Sequence, residues 1–216
     1  MKILILTSSE GMPRDFPEKV DYNETWIGLL RKKYKDSEIL QTSIGGGTTY
    51  DLLDQADYLK MFHPDIVFIE TGLVDCAPRT LRKGEDAILS RIFGGRLKRF
   101  VSKHELFFLK TRNITFVNEI DFESNLNKLK HIFRKSQVFA IGILPINENY
   151  ERFVPGIIKK RNLYDEIIKK CFNENYIDIS IMPEDCIMSD YQHFTVSGHK
   201  VIYNKIICIL QNRING

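Results

Sequence analysis

Apolar residues gather along this chain in short continuous runs that alternate with longer stretches of helical spacing. Ile3-Leu4-Ile5-Leu6 is the first run, and the Thr7-Ser8-Ser9 that follows bounds it as a strand buried on both faces of a parallel sheet. Beyond a polar loop holding Met12-Pro13-Arg14, Thr25 opens a helix with Trp26, Leu29, Leu30 and Tyr34 at helical spacing. Arg31, Lys32 and Lys33 sit near its C-terminus, where positive charge offsets the helix dipole. Glu38 to Ile44 reads as a second strand and Gly45-Gly46-Gly47 as a tight loop. Thr48 is placed to N-cap a helix carrying Leu52, Leu53 and Leu59. Ile66-Val67-Phe68-Ile69 is the clearest strand and ends at Glu70-Thr71-Gly72; Val138 to Ile143 is another, followed by a loop with Pro145 and Asn147. Helices are predicted from Ile157 to Phe172 and from about Ser197 to Leu210.

Strands alternating with helices imply an α/β fold, a three-layer α/β/α sandwich around a mainly parallel sheet, with any ligand site beyond the C-terminal ends of the strands. The loops at 7–9, 45–47 and 72–75 then share one edge. The 216 residues suit one domain. Within it, about 76–118 is too long for a simple connection and reads as a helical insertion, with Ile88, Ile92, Phe93, Leu97, Phe100 and Val101 as its apolar stripe. Arg91, Arg96, Lys98, Arg99 and Lys103 form a basic face opposite the stripe. That face reads either as a solvated helix surface or as a surface for an anionic glycan, an acidic partner or a lipid headgroup. The insertion is a candidate cap over the site and a candidate surface for homodimerisation.

Composition narrows the function classes more than it names one. Thirty-one basic residues against 28 acidic ones leave a net charge of +3, which supplies no argument for a nucleic-acid partner. The opening apolar run stops at Leu6, and no stretch approaches the ~20 apolar residues of a membrane span, so neither a signal peptide nor an integral segment is expected. Cys76, Cys171, Cys186 and Cys208 lie far apart without C-x-x-C spacing, which points to reduced thiols in a cytoplasmic protein and to no zinc site.

The most specific chemical signal is Asp190-Tyr191-Gln192-His193, followed by Phe194-Thr195-Val196-Ser197-Gly198-His199. An Asp and a His three apart in a bent loop can face each other, so that the carboxylate holds one imidazole nitrogen and the other meets a nucleophile. This block resembles the last signature of the SGNH (GDSL-like) hydrolases. The resemblance implies a flavodoxin-like sheet and a serine nucleophile just after the first strand, where the family has Gly-Asp-Ser and this chain has Thr7-Ser8-Ser9. Register favours Ser9 over Ser8. Gly46, with Gly45 and Gly47 beside it, stands at the family's oxyanion glycine, so the Ser9 and Gly46 amides are the expected oxyanion hole.

The third block departs from the family: Gly72-Leu73-Val74-Asp75 stands where Gly-x-Asn-Asp is usual, and Val74 cannot donate the hydrogen bond of that Asn. Losing one such donor costs about 3–4 kcal/mol of transition-state stabilisation. Asp75, Arg79, Thr48 and Asn147 are candidates to replace it. Asp75 and Arg79 are expected at the substrate, Arg79 either as a clamp for a carboxylate or phosphate or as a structural partner of Asp75. Cys76 reads as a small buried residue rather than a nucleophile. His63, His104 and His131 read as surface residues, and His199 as packing or support for His193. The expected function is a serine-dependent hydrolase of a small acyl ester, such as an O-acetylated carbohydrate, needing no cofactor or metal. An acyltransferase to a sugar and a non-catalytic glycan- or protein-binding module on the same fold are the alternatives.

Overall fold

The computed structural model describes residues 1–82, 85, 91, 95–112 and 114–214. Five parallel strands form one sheet: β1 (Lys2–Thr7), β2 (Glu38–Ser43), β3 (Ile66–Glu70), β4 (Gln137–Ile141) and β5 (Tyr176–Ile177), in the spatial order β2-β1-β3-β4-β5. Helices follow in chain order as α1 (Trp26–Lys33), α2 (Thr49–Leu59), α3 (Leu73–Cys76), α4 (Gly95–Lys103), α5 (Glu105–Arg112), α6 (Glu119–Ile132), α7 (Glu148–Phe153), α8 (Ile157–Phe172) and α9 (Val196–Ile214). The anticipated α/β/α sandwich with a parallel, flavodoxin-like sheet is the architecture found.

Alternation along the central strands divides the core in two. Ile3, Ile5, Phe68, Phe139 and Ile141 face one side, packed with Trp26, Ile27 and Leu30 of α1 and Ile202, Ile206 and Leu210 of α9. Leu4, Leu6, Val67, Ile69, Val138 and Ala140 face the other, against Leu52 and Ala56 of α2, Phe122, Leu126 and Leu129 of α6, and Tyr164 and Ile168 of α8. Strands β1 and β3 have no solvent face, which is why they read as unbroken apolar runs.

Several elements differ from the pattern-based reading. Strand β4 stops at Ile141 rather than Ile143, because Asp165 of α8 takes the Ile143 amide at 2.8 Å while the Gly142 amide donates to Ile177. Arg161, nearly fully buried, ties the same turn by donating to the Leu144 and Ile143 carbonyls and pairing with Asp165 at 3.3 Å. Helices α6 and α7 and the two-residue β5 are further elements, beyond those the hydrophobic pattern predicts. Ile88, Ile92 and Phe93 of the expected apolar stripe lie outside the described residues, as do the side chains of Arg96, Leu97 and Lys98. In the rest of the insertion, Val101 and Leu109 are buried while Phe100 and Phe107 are exposed. The insertion closes at its base, where Arg79 and Ile114 form a bridge and the Val117 amide reaches the Asp75 carbonyl. Among the described residues, no helix is long and apolar enough to cross a membrane, and no cluster of side chains is arranged to hold a metal ion.

Candidate active site

The C-terminal ends of β1 and β3 meet a loop from the far end of the chain. The Ser8 amide donates to the Glu70 carbonyl at 3.0 Å, carrying the strand pairing one residue beyond β1 before the backbone turns into a short 3-10 segment, Ser9–Gly11. That turn separates two adjacent hydroxyls. Ser8 is 0% exposed and donates to the Glu10 carboxyl, whereas Ser9 is partly exposed with Oγ 3.1 Å from His193 Nε2. His193 Nδ1 lies 2.6 Å from Asp190 Oδ2, and the other Asp190 oxygen accepts the Gln192 amide at 2.9 Å, orienting the carboxylate from both sides. The serine, histidine and aspartate expected to act together are therefore in hydrogen-bonding sequence. Their order matches the geometry in which an imidazole, held by a carboxylate, removes a hydroxyl proton.

Local sequence explains why residues 187–194 hold this shape. A bridge between Ile187 and Phe194 closes the loop, and the Met188 amide donates to the His193 carbonyl at 2.8 Å. Tyr191 turns the chain with φ of 62°, a left-handed conformation uncommon for a bulky residue. Gly198 of α9 lets Cys186 approach, since a Cβ there would fall 2.2 Å from the Cys186 carbonyl oxygen. His199, one residue on, is buried against Phe194 with Nδ1 lacking a partner, and burial pushes its pKa down to about 3; it packs as a neutral ring.

Ile44 to Gly47 form a tight turn in which the Gly47 amide donates to Ile44 at 2.9 Å and Gly46 has φ of 66°. That left-handed φ suits glycine at the third position of a type II turn. Neither the Gly46 nor the Ser9 amide has a hydrogen-bond acceptor among the described residues. Both residues line one cleft of about 270 Å³, together with Glu10, Leu73, Val74, Ala77, Arg79, Phe116, Tyr150, Gln192 and His193. A larger cleft of about 840 Å³ between α2 and α6 shares no residue with it and contains no nucleophile paired to a base.

Asp75, expected at the substrate, is instead 0% exposed. One of its oxygens accepts from the Thr49 amide and hydroxyl, at 2.9 and 2.7 Å, so it anchors the start of α2 beneath the cleft rather than lining it. Nor does Asp75 pair with Arg79. Thr48 caps α2 through Asp51 and Asn147 caps α7 by accepting the Tyr150 amide, and neither lines the cleft where the missing asparagine would act. Arg79 alone of the four candidates reaches the cleft. Cys76 is fully buried, and burial pushes its thiol well up, away from nucleophilic use.

Several groups around the site carry no motif in the sequence. Glu10, within the Ser9–Gly11 turn, and Glu70, at the end of β3, are both buried; burial and the nearness of Glu10 push Glu70 up to about 8, and Trp26 Nε1 donates to it at 3.3 Å. Arg14 donates to the Ser9 carbonyl at 3.2 Å. Tyr150 and Phe116 complete the walls. An acidic residue after Ser9 and another at the end of β3 were visible, but nothing in their spacing told that they converge. For His193, burial is the largest influence and holds the imidazole below its ordinary value, against the hydrogen bond and charge of Asp190.

No family model and no curated protein matches the sequence. Solved structures do match in fold. A lipase/acylhydrolase from Enterococcus faecalis superposes with a TM-score of 0.68 at 16% identity, over 98% of this chain and 96% of that one. A GDSL-like lipase from Bacteroides thetaiotaomicron gives 0.63 at 14% identity, covering 98% and 88%. A variant of an acetyl xylan esterase from Geobacillus stearothermophilus gives 0.58 at 17%, covering 95% and 92%. At such identities it is the architecture that is shared, and the chain has the fold of the SGNH/GDSL-like hydrolases.

Proposed function

We propose that this protein is a serine-dependent hydrolase of small acyl esters, with an O-acetylated carbohydrate as the substrate class. The observation that carries the reading is the continuous contact from Ser9 Oγ to His193 Nε2 and from His193 Nδ1 to Asp190 at the mouth of one cleft. His193 removes the Ser9 proton as Oγ attacks the ester carbonyl, and the Ser9 and Gly46 amides receive the developing oxyanion. Collapse expels the alcohol, which takes the proton from His193; water, activated by the same ring, then releases the acid and restores Ser9. Asp190 keeps the imidazole in the required tautomer and stabilises its charged form. Acetyl ester substrates are favoured by the acetyl xylan esterase among the matched structures.

Val74 supports a second reading, a binding module that keeps the fold with a weakened oxyanion hole, because its side chain lines the cleft without a donor. Labelling with a serine-directed fluorophosphonate, combined with acetate release from acetylated sugars and 4-nitrophenyl acetate, separates the two. The hydrolase reading expects labelling and turnover that Ser9→Ala abolishes and His193→Ala lowers about 10³-fold or more. Labelling that persists in Ser9→Ala, or a native chain that neither labels nor turns over, overturns it.

A further inference from the structure

Most described arginines with restricted exposure have an acceptor within the protein. Arg161 holds two carbonyls and Asp165, Arg112 holds Glu85 and the Thr80 carbonyl, and Arg14 holds the Ser9 carbonyl. Arg79 differs. Its Nε is buried without a hydrogen-bond partner, and no carboxylate lies within ion-pair distance of it among the described residues. Its backbone is fixed by the bridge to Ile114, where its amide donates at 2.8 Å, and its guanidinium lies 4.4 Å from the centre of the Phe116 ring. Both residues wall the cleft that holds Ser9 and His193.

Among the described residues, the carboxylates beside the cleft are already engaged. Asp190 serves His193 and Gln192, Glu10 accepts from Ser8, and Asp75 serves Thr49. The groups felt electrostatically by Arg79 are Tyr150 and Cys76, both uncharged at neutral pH because burial raises their pKa values. A cation taken largely out of water, with no counter-charge beside it among the described residues, is costly to the folded chain. The cation–π contact with Phe116 attracts the guanidinium but supplies no acceptor for its N–H groups. An anion entering the cleft would supply both the missing charge and a bidentate acceptor.

We propose that Arg79 is a specificity determinant that selects esters bearing an anionic group, a carboxylate in the first instance, next to the scissile bond. This rests on the hydrolase reading for its catalytic consequence and, for its binding consequence, on a guanidinium that has no ion-pair partner among the described residues, so the two are tested separately. For turnover, 4-nitrophenyl hemisuccinate is compared with its neutral four-carbon counterpart, 4-nitrophenyl butyrate. An acetylated methyl glucuronoside is likewise compared with the acetylated methyl glucoside, which distinguishes an anion on the acyl side from one on the sugar.

The native protein is expected to favour the anionic member of at least one pair in kcat/KM. Arg79→Gln is expected to reduce that ratio tenfold or more, and Arg79→Lys to restore part of it. Because each ratio is taken on one preparation, it does not depend on the fraction folded. For binding without turnover, the monoamide of succinic acid is titrated calorimetrically into Ser9→Ala with and without Arg79→Gln, and at least tenfold weaker binding is expected without the arginine. A native chain that hydrolyses no ester yet binds the monoamide through Arg79 sinks the hydrolase and supports this site. Equal losses on charged and neutral esters would make Arg79 an oxyanion donor instead and overturn the proposal, as would ratios and binding that do not change.

Discussion

The base in the proposed mechanism must be neutral before it can accept a proton, so the ionisation of His193 sets the acid limb of activity. Burial lowers its pKa below the ordinary imidazole value of 6.5, the opposing contributions of Asp190 notwithstanding. The kcat/KM for 4-nitrophenyl acetate is therefore expected to rise from acid pH with a midpoint below 6.5 and to be level by pH 7. A midpoint clearly above 6.5 would mean that the Asp190 carboxylate outweighs desolvation. At this scale the sequence was informative where spacing alone decides contact: Asp190 and His193 are three apart and need only a bent loop. The choice between Ser8 and Ser9 rested on register, and the structure supplies its physical basis, since successive residues leaving β1 point to opposite sides and only Ser9 faces the cleft. Asp75 was misplaced because an acidic residue at a strand end looks the same in sequence whether it faces ligand or caps a neighbouring helix.

Among the elements, α9 does more than cover the sheet. Thr195 accepts the Gly198 amide at 3.3 Å and donates to the Asp185 carbonyl at 2.5 Å, so the helix start and the histidine loop are locked together. At Gly198 the helix backbone lies close against the loop, and an added methyl would have to displace the Cys186 carbonyl. Gly198→Ala is expected to cost about 1–3 kcal/mol of stability and, by shifting His193 relative to Ser9, about 10²-fold in kcat. Thermal unfolding and the rate with 4-nitrophenyl acetate measure the two effects; a change in neither would show that the contact relaxes freely. The central strands and α8 were legible because their patterns are set by two-sided or one-sided burial. Strand β5 was not, because two residues paired at a sheet edge leave no period to read.

For the whole molecule, the unusual feature is a pair of carboxyls, Glu10 and Glu70, enclosed where β1, β3 and α1 meet. Burial pushes the Glu70 pKa up to about 8 in the folded chain from an ordinary 4.5, so between those limits the native state holds a proton that the unfolded chain has released. Stability then falls as pH rises from about 4.5 through 8, by about 1.4 kcal/mol per pH unit for one such group. Glu70→Gln is expected to flatten that slope, its advantage over the native protein in urea denaturation growing between pH 5 and pH 8.5. An advantage independent of pH would place the ionised carboxylate in a better-solvated site. Burial also raises Glu10, which adds a residual slope of the same sign.

The sequence by itself determined the strand and helix alternation, the parallel sheet that follows from it, and the short-range Asp190–His193 pair, because all three depend on periodicity or on neighbours close along the chain. Tertiary structure decided the rest. It brought a loop at residue 9 against one at residue 193, buried Glu10 and Glu70 beside them, turned Asp75 inward and left the Arg79 guanidinium without an ion-pair partner among the described residues. Those outcomes depend on which polar groups meet between segments 26 to 184 residues apart in the chain, and no local pattern encodes the partner that a buried polar group will find.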